Sequence, residues 1–155
     1  MFINPKSIPK ILRLTPDEIQ KIIESKVADL REHFATSNYH RTAVIGLSGG
    51  IDSALSATLA ALALGPENVI AARLPFRTCN EKSNHIAEEI AGAIGLSSAN
   101  LFTVDITQAV DATLRSTAGI LGGDEKIRVG NAAARERMKV LMDVCTAFNA
   151  LLIGT

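Results

Sequence analysis

A doubly wound α/β fold, a parallel sheet with helices on both faces, is what this sequence predicts. Three observations carry that expectation. Short apolar runs that do not alternate with polar residues, such as residues 42–47 and 69–74, read as strands buried on both sides. Segments at helical spacing separate these runs, so successive strands need right-handed crossovers. Finally, Gly46-Leu47-Ser48-Gly49-Gly50-Ile51-Asp52-Ser53 joins the first strand to a helix. In such a sheet the ligand sits at the carboxyl ends of the strands, where the winding reverses.

Each element has its own signal. Thr15-Pro16-Asp17-Glu18 opens a helix with a capping box, and Pro16 suits the first turn. Ile19, Ile22, Ile23, Val27, Leu30 and Phe34 continue it at helical spacing to about Thr36. The first strand spans about residues 42–47, and an alanine- and leucine-rich helix follows over 52–64. Gly65-Pro66 ends that helix. A second buried strand covers 69–74 and stops at Pro75. Residues 81–94 form a helix with Ile86, Ala87, Ile90 and Ile94 on one face, closed by Gly95. A short strand at 101–105 and a weaker helix at 108–114 lead to a glycine-rich loop, 119–124, read as mobile and as a lid or substrate edge. The last helix is expected from Asn131 to Phe148, with Met138, Leu141, Met142, Cys145 and Phe148 as its core stripe. A strand at 151–153 follows. With strand order 3-2-1-4, the Ser48 loop and Thr155 face each other across the site.

Composition narrows the class. The chain has 155 residues, 47% of them apolar, with 16 basic and 16 acidic side chains. That suits one domain over 1–155, with 1–41 as an N-terminal helical segment. Balanced charge gives no reason to expect a nucleic-acid partner. No apolar run is long enough to span a bilayer as a helix. Three histidines and two cysteines without a CxxC leave no structural zinc site. Cys79 and Cys145 read as reduced thiols, and the protein as cytoplasmic. Ending on an apolar strand, the sequence is expected to be the N-terminal portion of something longer.

The glycine segment carries the chemistry. Small residues let the backbone approach a phosphate, and the helix start offers unpaired amides and the positive end of its dipole. No lysine follows the glycines, so this is not the kinase-type loop, and the spacing is not GxGxxG. The same letters satisfy GxSxG, the nucleophile elbow of hydrolases. That reading needs a downstream histidine, and only His85 follows Ser48. A plain turn in which Asp52 and Ser53 cap a helix is the third option.

The loop resembles the SGGxDS motif of enzymes that split ATP between its α and β phosphates, a group that includes GMP synthetase, asparagine synthetase, argininosuccinate synthetase and tRNA-modifying ligases. Three segments narrow the resemblance. Arg73-Leu74-Pro75-Phe76 is similar to an RLPY or RLPF segment, Gly130 to Met138 to a GNxKARxRM segment, and Leu152-Ile153-Gly154-Thr155 to a strand ending in GT. In that order, over nearly the whole chain, they resemble the ammonia-dependent NAD⁺ synthetases. Ala133 stands where that family often has lysine.

The resemblance implies a Rossmann-like fold of the adenine nucleotide α hydrolase type. It implies ATP-dependent amidation of deamido-NAD⁺ with ammonia through an acyl-adenylate, giving NAD⁺, AMP and pyrophosphate, by an enzyme that forms homodimers. Gly46 to Ser53 would contact ATP, with Ser48, Gly49, Gly50 and Ser53 cradling the pyrophosphate. Arg73 would lie near adenine and Thr155 would donate its hydroxyl to ATP. Arg135, in the first turns of the last helix, would grip deamido-NAD⁺. Arg137, about 200° further round, would face the surface or a second subunit. Asp52 would act through Mg²⁺, because a carboxylate beside phosphates needs a cation between them. No general base is assigned, since a carboxylate substrate is already ionised at pH 7. Two other readings stand beside this one: another adenylating ligase of the same loop class, GMP-synthetase-like or tRNA-modifying, and an inactive nucleotide-binding fragment.

Overall fold

The computed structural model describes residues 14–37, 41–77, 81–119 and 125–154. Along the chain the elements are α1 (Pro16–Thr36), β1 (Ala43–Gly46), α2 (Ile51–Leu64), β2 (Val69–Arg73), α3 (Glu81–Ala93), β3 (Leu101–Thr103), α4 (Thr107–Thr117), α5 (Glu125–Phe148) and β4 (Leu151–Ile153). Single 3₁₀ turns at Pro66–Asn68 and Ser98–Asn100 lead into β2 and β3. The sheet runs β3-β2-β1-β4 with every pairing parallel, the expected order. The winding reverses at β1, between β2 and β4.

The sheet is covered on both faces. Ile45, Leu47, Val69 and Ala71 pack with Ala57, Ala60 and Ala61 of α2 and Ala87 and Ala91 of α3. On the other face Ala72 and Leu74 meet Ile106, Val110 of α4, and Ala132 and Ala133 of α5, while Val44 and Ile70 meet Cys145. Alanines at these contacts let helix and sheet backbones approach closely. The central strands β1 and β2 are buried almost throughout, but β4 is only half-buried. It takes its single pairing from β1, so one side of it is open among the described residues.

Local chemistry fixes the helix ends. The Thr15 hydroxyl accepts from the Glu18 amide at 3.3 Å and the Glu18 carboxylate accepts from the Thr15 amide at 2.7 Å, the capping box read from sequence. Arg31 of α1 donates to the carbonyls of Ala63 and Leu62 at 3.0 and 2.8 Å, satisfying the end of α2. Asp105 accepts from the Thr107 amide at 2.7 Å at the start of α4; bonds from the Thr107 side chain and amide hold its carboxyl below its ordinary value. At the end of α5 the Ala150 amide reaches the Cys145 carbonyl at 2.9 Å and Asn149 adopts φ 47°. This left-handed cap reverses the chain directly into β4.

Two expectations about α5 are corrected. The helix starts at Glu125, not Asn131, so Gly130 and Asn131 lie inside it. Three residues of the expected core stripe are not core: Met138, Met142 and Phe148 are about half exposed, at 52%, 53% and 47%. The buried face is formed by Ala132, Ala133 and Cys145 with Val140, Leu141 and Val144. It drifts around the helix along its length, which a single stripe does not capture. Cys145 is core as expected, and burial pushes its thiol up, away from reactivity. The loop at 120–124 and Cys79 lie outside the described residues. Among the described residues no helix is long and apolar enough to cross a membrane.

Candidate functional site

The switch point is built from the end of β1. Leu47 donates its amide to the Ala72 carbonyl at 2.9 Å and buries its side chain, so only its backbone faces the site. The chain then turns through Ser48 and Gly49, whose φ of 79° favours glycine. Gly50 is the N-cap of α2 and provides no side-chain cap; a Cβ there would lie 3.3 Å from the Ser48 Oγ. The first amides of α2, at Ile51, Asp52 and Ser53, therefore retain donor capacity toward an anion.

Ser53 locks this turn. It is 3% exposed, and its Oγ donates to the Gly50 carbonyl at 2.9 Å while accepting from the Ser48 amide at 3.3 Å. Its Oγ also lies 3.0 Å from the Ser48 Oγ. A hydroxyl has one proton, and that of Ser53 is committed to Gly50, so Ser48 is the donor in this contact. Ser48 in turn accepts from the Gly50 amide at 3.3 Å. Ser53 thus shapes the cradle from below, whereas the exposed Ser48 is accessible to a ligand. Ile51 and Asp52 are exposed at the helix start.

Asp52 is the carboxylate on the first turn of α2. Among the described residues no group of three or more His, Cys, Asp or Glu could hold a metal ion. One carboxylate beside unpaired amides nevertheless fits Mg²⁺, which is usually held by one or two carboxylates together with substrate phosphates.

The end of β2 forms the neighbouring wall. Gly46 is the register partner of Ala72, so Arg73 and the Ser48 turn leave the sheet from adjacent positions. Arg73 donates to Glu88 at 2.7 Å through Nη1, and to Thr103 through Nε at 3.0 Å and Nη2 at 2.7 Å. Beyond Pro75, Arg77 adopts φ 51°, a left-handed conformation unusual for a residue with a side chain. Its amide donates to Thr107 at 2.6 Å, its guanidinium reaches Asp111 at 3.2 Å and lies 4.9 Å above the Phe76 ring. Arg77→Gly and Arg77→Ala lose the same side-chain contacts, so their difference reports the backbone. The glycine variant is expected to be more stable by about 1 kcal/mol, read from urea melts of both.

The two arginines of α5 differ in their contacts. Arg137 is exposed, and its Nε also donates to the Leu74 carbonyl at 3.2 Å, at the carboxyl end of β2. Arg135 lies well inside the helix rather than in its first turns, and is exposed on the face of Met138 and Met142. Thr155 lies outside the described residues. The sequence missed Glu88 and Thr103 as partners of Arg73, and the contact of Arg137 with Leu74: the first two span 15 and 30 residues and the third spans 63. Only the position of Arg73 at a strand's carboxyl end hinted at such partners.

Known proteins are similar to this chain in sequence and fold. A family model described as NAD synthase matches residues 22–155. The NH(3)-dependent NAD(+) synthetase of Fusobacterium nucleatum is 37% identical over 137 residues, covering 88% of this chain and 50% of that protein. Among solved structures, the NH3-dependent NAD synthetase of Campylobacter jejuni is 34% identical with a TM-score of 0.77, over 88% of this chain and 56% of that one. The glutamine-dependent NAD+ synthetase of Acinetobacter baumannii, in complex with ADP, is 27% identical with a TM-score of 0.81, over 92% of this chain and 27% of that one. The chain spans about half the length of the curated relatives it matches. With the family model reaching from Ile22 to Thr155, across the sheet and its glycine turn, the chain belongs to the NAD synthase family.

Proposed function

We propose that the complete protein joins ammonia to the nicotinate carboxyl of deamido-NAD⁺, using ATP and releasing AMP and pyrophosphate. The observation that carries this reading is the Ser48–Gly50 turn. It is locked by the Ser53 hydroxyl and aims the unpaired amides of α2 outward at the switch point of the sheet.

In the first step a carboxylate oxygen of the dinucleotide attacks the α-phosphorus. The bond to the β-phosphate oxygen breaks, and pyrophosphate leaves with its electron pair. Ammonia then adds to the carbonyl carbon of the acyl-adenylate, its surplus proton passes to solvent, and AMP departs. The first step brings two anions together and develops charge on the leaving group, so it needs alignment and charge stabilisation rather than a base. The backbone of Gly46 to Gly50, the first amides of α2 and the Ser48 hydroxyl would bind the phosphates. Arg73 would meet the adenosine part and Thr155 a further ATP oxygen. Asp52 would hold Mg²⁺, which supplies charge neutralisation between the carboxylate and the phosphates. Arg135 would grip deamido-NAD⁺.

The exposed stripe of Ile127, Met138 and Met142, with Arg135 among them, supports a homodimer formed through α5. The free, buried Cys145 fits a cytoplasmic setting.

The test is product formation by the complete protein supplied with ATP, ammonium and a panel of acids that includes deamido-NAD⁺. NAD⁺, AMP and pyrophosphate should appear one for one, and pyrophosphate release should require deamido-NAD⁺. Release of inorganic phosphate, or turnover with another acid alone, would overturn the reading.

A further inference from the structure

We infer that Glu88 and Thr103 are positioning residues for Arg73, holding its guanidinium so that it meets the uncharged adenosine part of the nucleotide already oriented. The inference rests on the nucleotide reading above and deepens it. Arg73 is the last residue of β2 and Thr103, its register partner, the last of β3, so their side chains share a face of the sheet. The next rung inward leads to the Ser48 turn, through Ala72 and Gly46.

The guanidinium is gripped on two edges. Nε and Nη2 converge on the Thr103 Oγ1, while Nη1 meets Glu88 Oε1 of α3 at 2.7 Å. Contacts from two separate elements fix both the direction and the plane of the fork. Stability does not explain the arrangement. The Glu88 side chain is 57% exposed, and an ion pair with so exposed a partner adds little to a fold. Arg73 itself is held close, with its side chain 16% exposed. Glu88 also balances the charge of Arg73. A neutralised, oriented guanidinium suits the base and ribose of a nucleotide, whereas the phosphates are served by the amides of α2.

The experiment uses the complete protein and measures ATP affinity, steady-state kinetics and melting temperature together. Glu88→Ala and Thr103→Val should each raise the Kd and KM for ATP about two- to tenfold, the cost of ordering a long side chain on binding. The kcat, the KM for deamido-NAD⁺ and the melting temperature should stay near wild type. Glu88→Gln, which keeps an oxygen acceptor, should recover part of the loss. In an Arg73→Ala background Glu88→Ala should add nothing, because it acts through Arg73. Unchanged ATP affinity in Glu88→Ala would overturn the inference. So would losses that add in the double variant, or a loss matched by a fall in melting temperature. A wild-type protein that binds no ATP would overturn the nucleotide reading and this assignment with it. Normal wild-type binding with an unaffected Glu88→Ala overturns the assignment alone.

Discussion

An Asp52→Asn protein is expected to fold as the wild type and to lose turnover by on the order of a hundredfold or more. Asp52 is exposed on the first turn of α2, and asparagine has its shape. What the fold loses is the favourable placement of a negative charge at a helix start, worth no more than about 1 kcal/mol. The reaction loses far more. Pyrophosphate departs with growing negative charge, and asparagine is a poor partner for the Mg²⁺ that balances it. The loss should therefore fall on kcat and persist when Mg²⁺ is raised. Steady-state rates across a Mg²⁺ series, with a thermal melt of each protein, make the measurement. Near-normal turnover at saturating Mg²⁺ would return Asp52 to the role of a helix-start acid.

Much of this site was legible because its residues are contiguous. Glycines, hydroxyls and a helix start within a few positions mark a tight strand-to-helix turn, and Ser48, Gly49, Gly50 and Ser53 form one. The sheet order was legible for a related reason. Apolar strands separated by helices admit few connections that keep right-handed crossovers, and β3-β2-β1-β4 is one of them. Side chains that meet across elements were not legible. Nothing in a linear pattern says that Glu88 of α3 turns to Arg73, or that Arg137 of α5 turns to Leu74. The place of Arg135 along α5 was misjudged for a specific reason. Gly130-Asn131 looks like a helix start, but the helix begins at Glu125 and absorbs both residues. Met138 and Met142 misled in the same way. Helical spacing groups apolar residues on a face without saying what that face meets.

The orientation of Arg135 leads to the second large effect. Arg135→Ala should weaken deamido-NAD⁺ by roughly tenfold to a hundredfold, the value of a charge-assisted contact, and leave ATP affinity nearly unchanged. Arg135 is exposed within α5 while the Ser48 turn follows β1, so Arg135 would grip a part of the dinucleotide other than the carboxyl that meets ATP. Its side chain makes no hydrogen bond or ion pair among the described residues, so folding does not depend on it. Its removal should therefore leave the melting temperature in place. Arg135→Lys keeps the charge and loses the planar fork, so it should fall between wild type and alanine if an anionic group is gripped in two places. Separate titrations with ATP and with deamido-NAD⁺ decide the matter. Equal losses for both ligands, or a loss confined to ATP, would mean that Arg135 serves the other substrate. Unchanged binding of both would leave it to the contact between subunits, and a fall in dimer affinity on gel filtration would then accompany the substitution.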